Sequence, residues 1–310
     1  MVTWTLDSGS GVDDLAVFIF STGETLVYQG ADPGDVNDWS LIGRFQIGEP
    51  LGPRAHQKVG GTEIILTRDG YIDLSVALKD GRYSEKSAYS AKIIRASKNA
   101  PAQYGDILGW EAVLYPSGQL FIVNIPTSTT SSIQHVRETS SGGWCEFSGW
   151  NARSFCVFNN RLYFGDSAGN VCIADDGVSD NGERITCWAI TAFNSLGNRA
   201  ARKQMTAATV VSSFSRPLSW AYDGLADFDQ TLRNTLQDDI AVGGSLWDTS
   251  DWDTTDWDVA TQSSEGISRT GWRNVHAIGY VVTVSVRIRQ RAEIINWYST
   301  NIQFRAAGVR

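Results

Sequence analysis

A pattern of two apolar runs separated by a turn with glycine recurs four times in the first two thirds of the chain. The copies read LAVFIF-STG-ETLVY, EIILT-RDG-YIDLS, EAVLY-PSG-QLFIV and RLYFG-DSAG-NVCIA, with their turn glycines at Gly23, Gly70, Gly118 and Gly169. Glycine in such a turn supplies the positive φ of a tight hairpin, and the flanking β-branched and aromatic residues favour strands. Each copy therefore predicts a β-hairpin.

The hairpins recur at intervals of 47, 48 and 51 residues, counted between the turn glycines. A period near 48 is typical of propeller blades, which are four-stranded sheets that bury their faces against their neighbours. Residues 39–48 and 143–150 predict further strands outside the hairpins. We expect an all-β protein with a β-propeller-like array of about four blades, whose ring need not close within one chain; the alternative is a β-sandwich with evenly spaced hairpins.

Residues 82–97 interrupt this pattern, because they lack alternation and are rich in alanine, lysine and serine. They predict one helix inserted between the second and third repeats. We expect the propeller-like repeats to occupy residues 1–200. A β-rich assembly domain is expected over residues 201–310, where two strands flank Pro217.

Residues 281–291 of this second domain, VVTVSVRIRQR, alternate in the manner of an amphipathic strand. Arg287, Arg289 and Arg291 then project from one face. One interpretation is a ladder that contacts the phosphate backbone of passing DNA. The interpretation we favour is salt bridging to carboxylates of this or a neighbouring subunit, because an aspartate-rich segment is available.

The charge is distributed unevenly, although the net charge is only −8. Residues 223–258 contain ten aspartates and one arginine, a balance of −9, whereas residues 269–310 contain seven arginines and one glutamate, a balance of +6. Such asymmetry predicts that the two segments face each other, within a subunit or across an interface. The acidic total excludes a protein that grips nucleic acid through an overall basic surface.

The acidic segment contains the repeat WDTSD-WDTTD-WD. We predict that it forms stacked turns used in assembly, with a candidate loop that comprises Trp247, Asp251, Trp252, Asp256 and Trp257. Two alternatives remain. Asp253, Asp256 and Asp258 carry the oxygen ligands that Ca²⁺ prefers, and the tryptophans have rings that stack on sugars.

No motif predicts an enzyme or a cofactor. None of the three histidines, His56, His135 and His276, lies in a nucleophile elbow or an HExxH pattern, and no phosphate-binding glycine loop is present. Four cysteines without metal-ligand spacing predict free thiols. The apolar run at 15–20 is far shorter than a membrane span, so no membrane segment is expected.

Several ordered segments carry a resemblance. Residues 109–128 (GWEAVLYPSGQLFIVNIPTS) and 134–182, which contain GGWCEFSGW and NNRLYFGDSAGNVCIADDG, resemble the central part of tail nozzle proteins of short-tailed bacteriophages. That family is also called tail tubular protein B or phage stabilisation protein. Residues 6–54 are similar to the segment that precedes this part, and the tryptophan repeat with residues 293–310 resembles the C-terminal part.

The resemblance implies a virion structural protein, assembled in the host cytoplasm, that forms a homo-oligomeric ring, a hexamer, below the portal and the tail adaptor protein. The ring would conduct and retain double-stranded genomic DNA and dock fibres or spikes. Members of that family usually carry an N-terminal platform ahead of the repeats; either a separate chain supplies that part or this chain is a shortened member. An acidic lumen would let DNA slide, because like charges repel. The alternative function is a carbohydrate-binding β-propeller for host recognition.

Overall fold

A computed structural model describes residues 1–7, 12–35, 37–80, 85–213, 220–234, 267–269, 271–290 and 294–307. The predicted all-β class is confirmed, since antiparallel sheets account for most of the chain. The chain forms two compact units, Met1–Asp176 and Gly177–Arg310. This division lies before the boundary expected after residue 200, because the strand Ile185–Ile190 pairs with a strand of the second unit.

The first unit contains four antiparallel sheets, each built from strands that are consecutive in the chain. The first sheet contains β1 (Val2–Asp7), β2 (Val12–Ile19), β3 (Glu24–Gln29) and β4 (Ser40–Gln46); the second contains β5 (His56–Val59), β6 (Thr62–Thr67) and β7 (Gly70–Asp73); the third contains β8 (Glu111–Tyr115), β9 (Leu120–Pro126), β10 (Ser132–Glu138) and β11 (Trp144–Ser148); and the fourth contains β12 (Ala152–Phe158), β13 (Arg161–Asp166) and β14 (Val171–Ala174). This arrangement is compatible with consecutive propeller-like blades.

The four sheets stack in chain order. Trp4 and Val17 of the first sheet share a core cluster with Ile65 of the second. In a second cluster, the other face of the second sheet packs on the third sheet. In a third cluster, the other face of the third sheet packs on the fourth sheet. The two inner sheets are thus covered on both faces, so their central strands β6 and β9 are buried at almost every position.

The helical insertion between the second and third sheets differs in its bounds from the predicted helix. It comprises α1 (Leu74–Asp80), a short 3₁₀ turn (Ala91–Ile93) and α2 (Ile94–Tyr104). Residues 85–90 form turns instead of helix. Tyr89 packs against the core, and the Ser90 hydroxyl accepts the Tyr71 N–H at 3.1 Å and the Ser97 hydroxyl at 2.9 Å. These contacts hold the segment against β7 and the core.

Glycine occurs at these turns for two different reasons, a positive φ angle or a lack of space for a Cβ atom. Gly23, Gly70 and Gly169 have φ angles of +83°, +125° and +90°, as the hairpin pattern predicts. The third repeat departs from this, because Gln119 takes the positive φ of 54° there, and a Cβ on Gly118 would lie 2.5 Å from the Tyr115 ring. That turn also joins the first and second strands of its sheet, whereas the other three join the second and third.

The second unit contains two further antiparallel sheets. Their strands are β15 (Ile185–Ile190), β16 (Arg202–Ser213), β17 (Trp220–Ala226), β18 (Ile267–Arg269), β19 (Arg273–Gly279), β20 (Val282–Gln290) and β21 (Asn296–Ala307). The fifth sheet has the order β15-β20-β17, and in the sixth sheet β16 pairs with β18, β19 and β21. One core cluster, including Met205, Val275 and Val284, packs the two sheets together. No helix in the described ranges is long and apolar enough to cross a membrane.

Candidate functional site

The arginines of β20 are the first candidate site. Arg287 lies in register with Trp188 of β15 and Ala221 of β17, in the middle of the fifth sheet. Its guanidinium donates to Oδ2 of Asp223 at 3.2 Å, and the two side chains are 19% and 3% exposed. The other carboxylate oxygen of Asp223 accepts two backbone N–H groups, from Arg233 at 3.0 Å and Asn234 at 2.7 Å. Asp223 therefore fixes Arg287 and the chain that follows β17.

This ion pair lies within one chain, and Asp223 is the first aspartate of the acidic segment. The three arginines predicted as one ladder are not equivalent. Arg287 is partly buried, and among the described residues its Nε has no hydrogen-bond partner. Arg289 is exposed, and Arg291 lies outside the described residues.

The polar face of β20 is covered towards the beginning of the strand. Thr283 and Ser285 are fully buried, although the alternation placed them on the same face as the arginines. The Thr283 hydroxyl donates to the backbone oxygen of Thr191 at 2.6 Å, which explains why a polar residue is tolerated there.

The second predicted site, the tryptophan and aspartate loop, lies outside the described residues. This applies to Trp247, Asp251, Trp252, Asp256 and Trp257, and to Asp253 and Asp258 of the calcium alternative. Their assembly, calcium and sugar interpretations stay predictions. In the part of the chain that the structure describes, no group of three or more histidine, cysteine or acidic side chains could hold a metal ion.

The outer face of the fourth sheet is an exposed apolar surface that the sequence patterns did not single out. We call it the fourth-sheet face; it comprises Cys156, Phe158, Tyr163, Val171 and Ile173. Cys156, Tyr163 and Ile173 are register partners across β12, β13 and β14, so they share a face. Phe158 is 69% exposed and Val171 is 77% exposed. The opposite face of the same sheet packs on the third sheet.

The outer face of the first sheet forms a comparable surface at the other end of the stack. We call it the first-sheet face; it comprises Phe18, Leu26, Tyr28, Trp39 and Leu41. Tyr28 is the register partner of Leu41, which is 50% exposed. The Tyr28 ring contacts Phe18 edge-on at 5.7 Å between centroids and stacks on Trp39 at 5.4 Å. The outer faces of the first and fourth sheets thus both expose apolar side chains, next to Arg44 on the first sheet and Arg161 on the fourth.

A signal for both faces is present in the sequence. A strand with one solvated face alternates apolar and polar residues, whereas β2 has apolar residues at five consecutive positions, 15–19. The runs RLYF in β13 and VCIA in β14 likewise have apolar residues on both faces.

The first strands of the second, third and fourth sheets are connected by charged side chains. Arg54, just before β5, forms a parallel bridge with Glu111 of β8. One Glu111 oxygen accepts the N–H of Phe155 in β12 at 3.0 Å, and Arg54 donates to the backbone oxygen of Arg153 at 3.0 Å. Burial raises the pKa of Glu111, and the Phe155 N–H and Arg54 oppose that rise. These contacts hold three neighbouring sheets in a fixed arrangement.

Comparison of the sequence with protein-family models gives no match, and comparison with curated proteins gives none. The resemblance to phage tail nozzle proteins therefore stays a prediction.

Proposed function

We propose that this chain is a structural subunit of a bacteriophage tail. It forms a ring-shaped nozzle or tube below the portal and adaptor, conducts and retains the genomic DNA, and docks fibres or spikes. The observation that carries the proposal is the stack of four sheets in the first unit, whose two end sheets expose the apolar side chains of Leu41 and Ile42 and of Phe158 and Val171. Large exposed apolar surfaces mark interaction sites, and unlike ends of one chain allow repeated head-to-tail assembly.

The charge of the chain supports a conduit that does not hold its DNA tightly. The net charge is −8, and Asp223 neutralises Arg287, one of the arginines that would otherwise bind phosphates. A wall that repels phosphates allows DNA to pass through without strong adhesion.

The test is the mass and shape of the assembly. The chain is expressed alone and together with the product of the neighbouring upstream gene, and both preparations are measured by native mass spectrometry and electron microscopy. We expect a closed ring, alone or with equal numbers of the second chain. A stable monomer in both preparations, or purified tails that lack the chain, would refute the proposal.

Carbohydrate binding is the second candidate function, because Trp188 is 61% exposed and Trp272 is 57% exposed. Exposed indole rings stack on sugars. A glycan array would show specific binding that is lost in Trp188→Ala or Trp272→Ala if this function holds. An array without binding at millimolar glycan would exclude it.

A further inference from the structure

We infer that Lys92 of the helical insertion and Arg137 of β10 bind a phosphate group next to Gly142. The two cations meet within the first unit, at the turn that joins β10 to β11. The site itself does not depend on the proposed function. The source of the phosphate that we favour, the backbone of double-stranded DNA, does rest on it.

Gly142 lies between the two cations. The ammonium group of Lys92 donates a hydrogen bond to the backbone oxygen of Gly142 at 2.9 Å. A Cβ atom on Gly142 would lie 3.2 Å from Nη2 of Arg137, 3.7 Å from its Nε and 3.5 Å from Nζ of Lys92. Three nitrogen donors therefore face the one small space that glycine leaves open because it has no side chain.

The guanidinium group of Arg137 is held in a defined orientation. Its Cζ lies 3.9 Å from the centre of the Tyr89 ring, and that ring packs edge-on against Phe121 and Trp144. Nε and Nη2 form the edge of the guanidinium that is directed at Gly142. Two N–H groups on one such edge match two oxygen atoms of a phosphate group.

The two cations are not neutralised by the protein. In the described part of the chain, neither Lys92 nor Arg137 forms an ion pair with a carboxylate. The adjacent carboxylate of Glu138 accepts the backbone N–H groups of Ser140 at 2.8 Å and Ser141 at 2.6 Å. Nε of Arg137 is buried and has no acceptor among the described residues. An oxygen atom of a bound anion would provide that acceptor.

The surrounding charge favours a phosphate. Residues 85–104 contain four basic side chains and one acidic side chain, a balance of +3, although the net charge of the chain is −8. Of these basic side chains, Lys86, Lys92 and Arg95 are exposed. Neighbouring positive charge attracts an anion to the site. Donors that converge from two side chains suit a tetrahedral phosphate, whose oxygen atoms point in several directions.

Two variants test the site in different ways. Lys92→Gln removes the exposed ammonium group, and Gly142→Ala fills the space between the cations without a change of charge. The control is Lys58→Gln, which removes an exposed lysine of β5 outside the helical insertion. Calorimetry at constant ionic strength measures the binding of inorganic phosphate. Fluorescence anisotropy measures the binding of a short DNA duplex at a series of salt concentrations, and circular dichroism checks that each variant is folded.

We expect the wild type and Lys58→Gln to bind phosphate equally, and both site variants to bind it about tenfold more weakly. For the duplex, Lys92→Gln should lower the slope of log affinity against log salt by about one, because one phosphate contact is lost. Phosphate binding without duplex binding would support the site and assign it to a free phosphate. No phosphate binding by the wild type, or equal binding by the wild type and Lys92→Gln, would overturn the inference.

The failures of the inference and of the proposed function are distinguishable. Closed rings that bind no phosphate would overturn the inference and leave the proposed function intact. A chain that stays monomeric, alone and with the upstream gene product, but binds phosphate through Lys92 would overturn the proposed function and leave the site intact.

Discussion

The hydroxyl oxygen of Tyr71 lies 2.8 Å from Nδ1 of His135, and this hydrogen bond joins the second sheet to the third inside the core. Tyr71 is fully buried and His135 is 5% exposed. Burial lowers the pKa of His135 to about 4 and raises the pKa of Tyr71. Both side chains are therefore neutral in the folded protein at pH 7.

The His135 pair makes the first unit sensitive to acid. In the unfolded chain the pKa of the imidazole is 6.5, so between pH 6.5 and about 4 the unfolded state binds the proton that the folded state excludes. Stability is thus present above pH 6.5 and falls as the pH drops. We expect a loss of about 3 kcal/mol in the free energy of unfolding between pH 7 and pH 4 from this residue. Urea unfolding at a series of pH values measures it.

Substitution of His135 separates its contribution to the pH dependence of stability from the contributions of other titrating groups. His135→Gln should reduce the dependence of the free energy of unfolding on pH. Glu111 acts in the opposite direction, because its raised pKa favours the folded state at low pH. That contribution cancels in the difference between wild type and His135→Gln. An equal dependence on pH in these two proteins would contradict the assignment.

The hairpin pattern identified the sheets of the first unit because short hairpins are local. Apolar runs and turn residues lie within about twenty positions of each other, and the four repeats all became hairpins. The pairing of residues 185–190 could not be predicted in this way, because β15 pairs with β20 about a hundred residues later in the chain. Long-range pairing depends on which edge is available after folding, and local composition does not encode it.

Substitution of Asp223 should destabilise the fifth sheet. Asp223→Ala removes the partner of Arg287 and the acceptor of two backbone N–H groups. Removal of one member of a buried pair leaves the other uncompensated, so we expect a loss of about 3 kcal/mol in the free energy of unfolding. Chemical unfolding of the purified variant measures the loss.

The exposed ion pair of Arg233 with Asp229 provides the comparison. Their side chains are 67% and 49% exposed, with a separation of 3.4 Å. Arg233→Ala should change stability by less than about 0.5 kcal/mol, because solvent screens such a pair and the backbone N–H remains. If Asp223→Ala and Arg233→Ala changed the free energy of unfolding equally, burial of the pair of Asp223 and Arg287 would not contribute to stability.

Glu111 should be important for the contact between the third and fourth sheets. Glu111→Leu leaves the N–H of Phe155 without its acceptor in a buried position. An unsatisfied buried donor costs about 1–3 kcal/mol, and we expect a loss of that size. Glu111→Gln retains an acceptor oxygen and should lose about half as much or less. If the two variants were equally stable in urea, the loss of stability would not come from the hydrogen bond between Glu111 and Phe155.

The alternation of β20 indicated which residues share a face but not how far each is exposed. Arg287 and Arg289 do lie on one face, yet Arg287 is partly buried beside Asp223 whereas Arg289 is exposed. Exposure depends on which strands lie on either side and on where the neighbouring loop ends. Period-two alternation contains no information about these long-range partners.

The turn glycines give a last, matched pair of substitutions. Gly23 and Gly169 both have positive φ, so alanine at either position is strained by about 1–2 kcal/mol. At Gly169 nothing lies within 4 Å of the added Cβ, so the strain is the whole cost. At Gly23 the Cβ would lie 2.1 Å from the backbone oxygen of Ile47, whose N–H donates to the Gly23 oxygen at 2.9 Å. The chain must shift there and that hydrogen bond must break.

We therefore expect Gly23→Ala to lose more than about 3 kcal/mol in the free energy of unfolding and Gly169→Ala to lose about 1–2 kcal/mol. Thermal and urea unfolding of the two variants measure the difference. Both substitutions change the same residue type in the same kind of turn, so backbone strain is matched and the remainder reports the close approach of Ile47. Equal losses would mean that the β2–β3 turn relaxes away from Ile47 without cost.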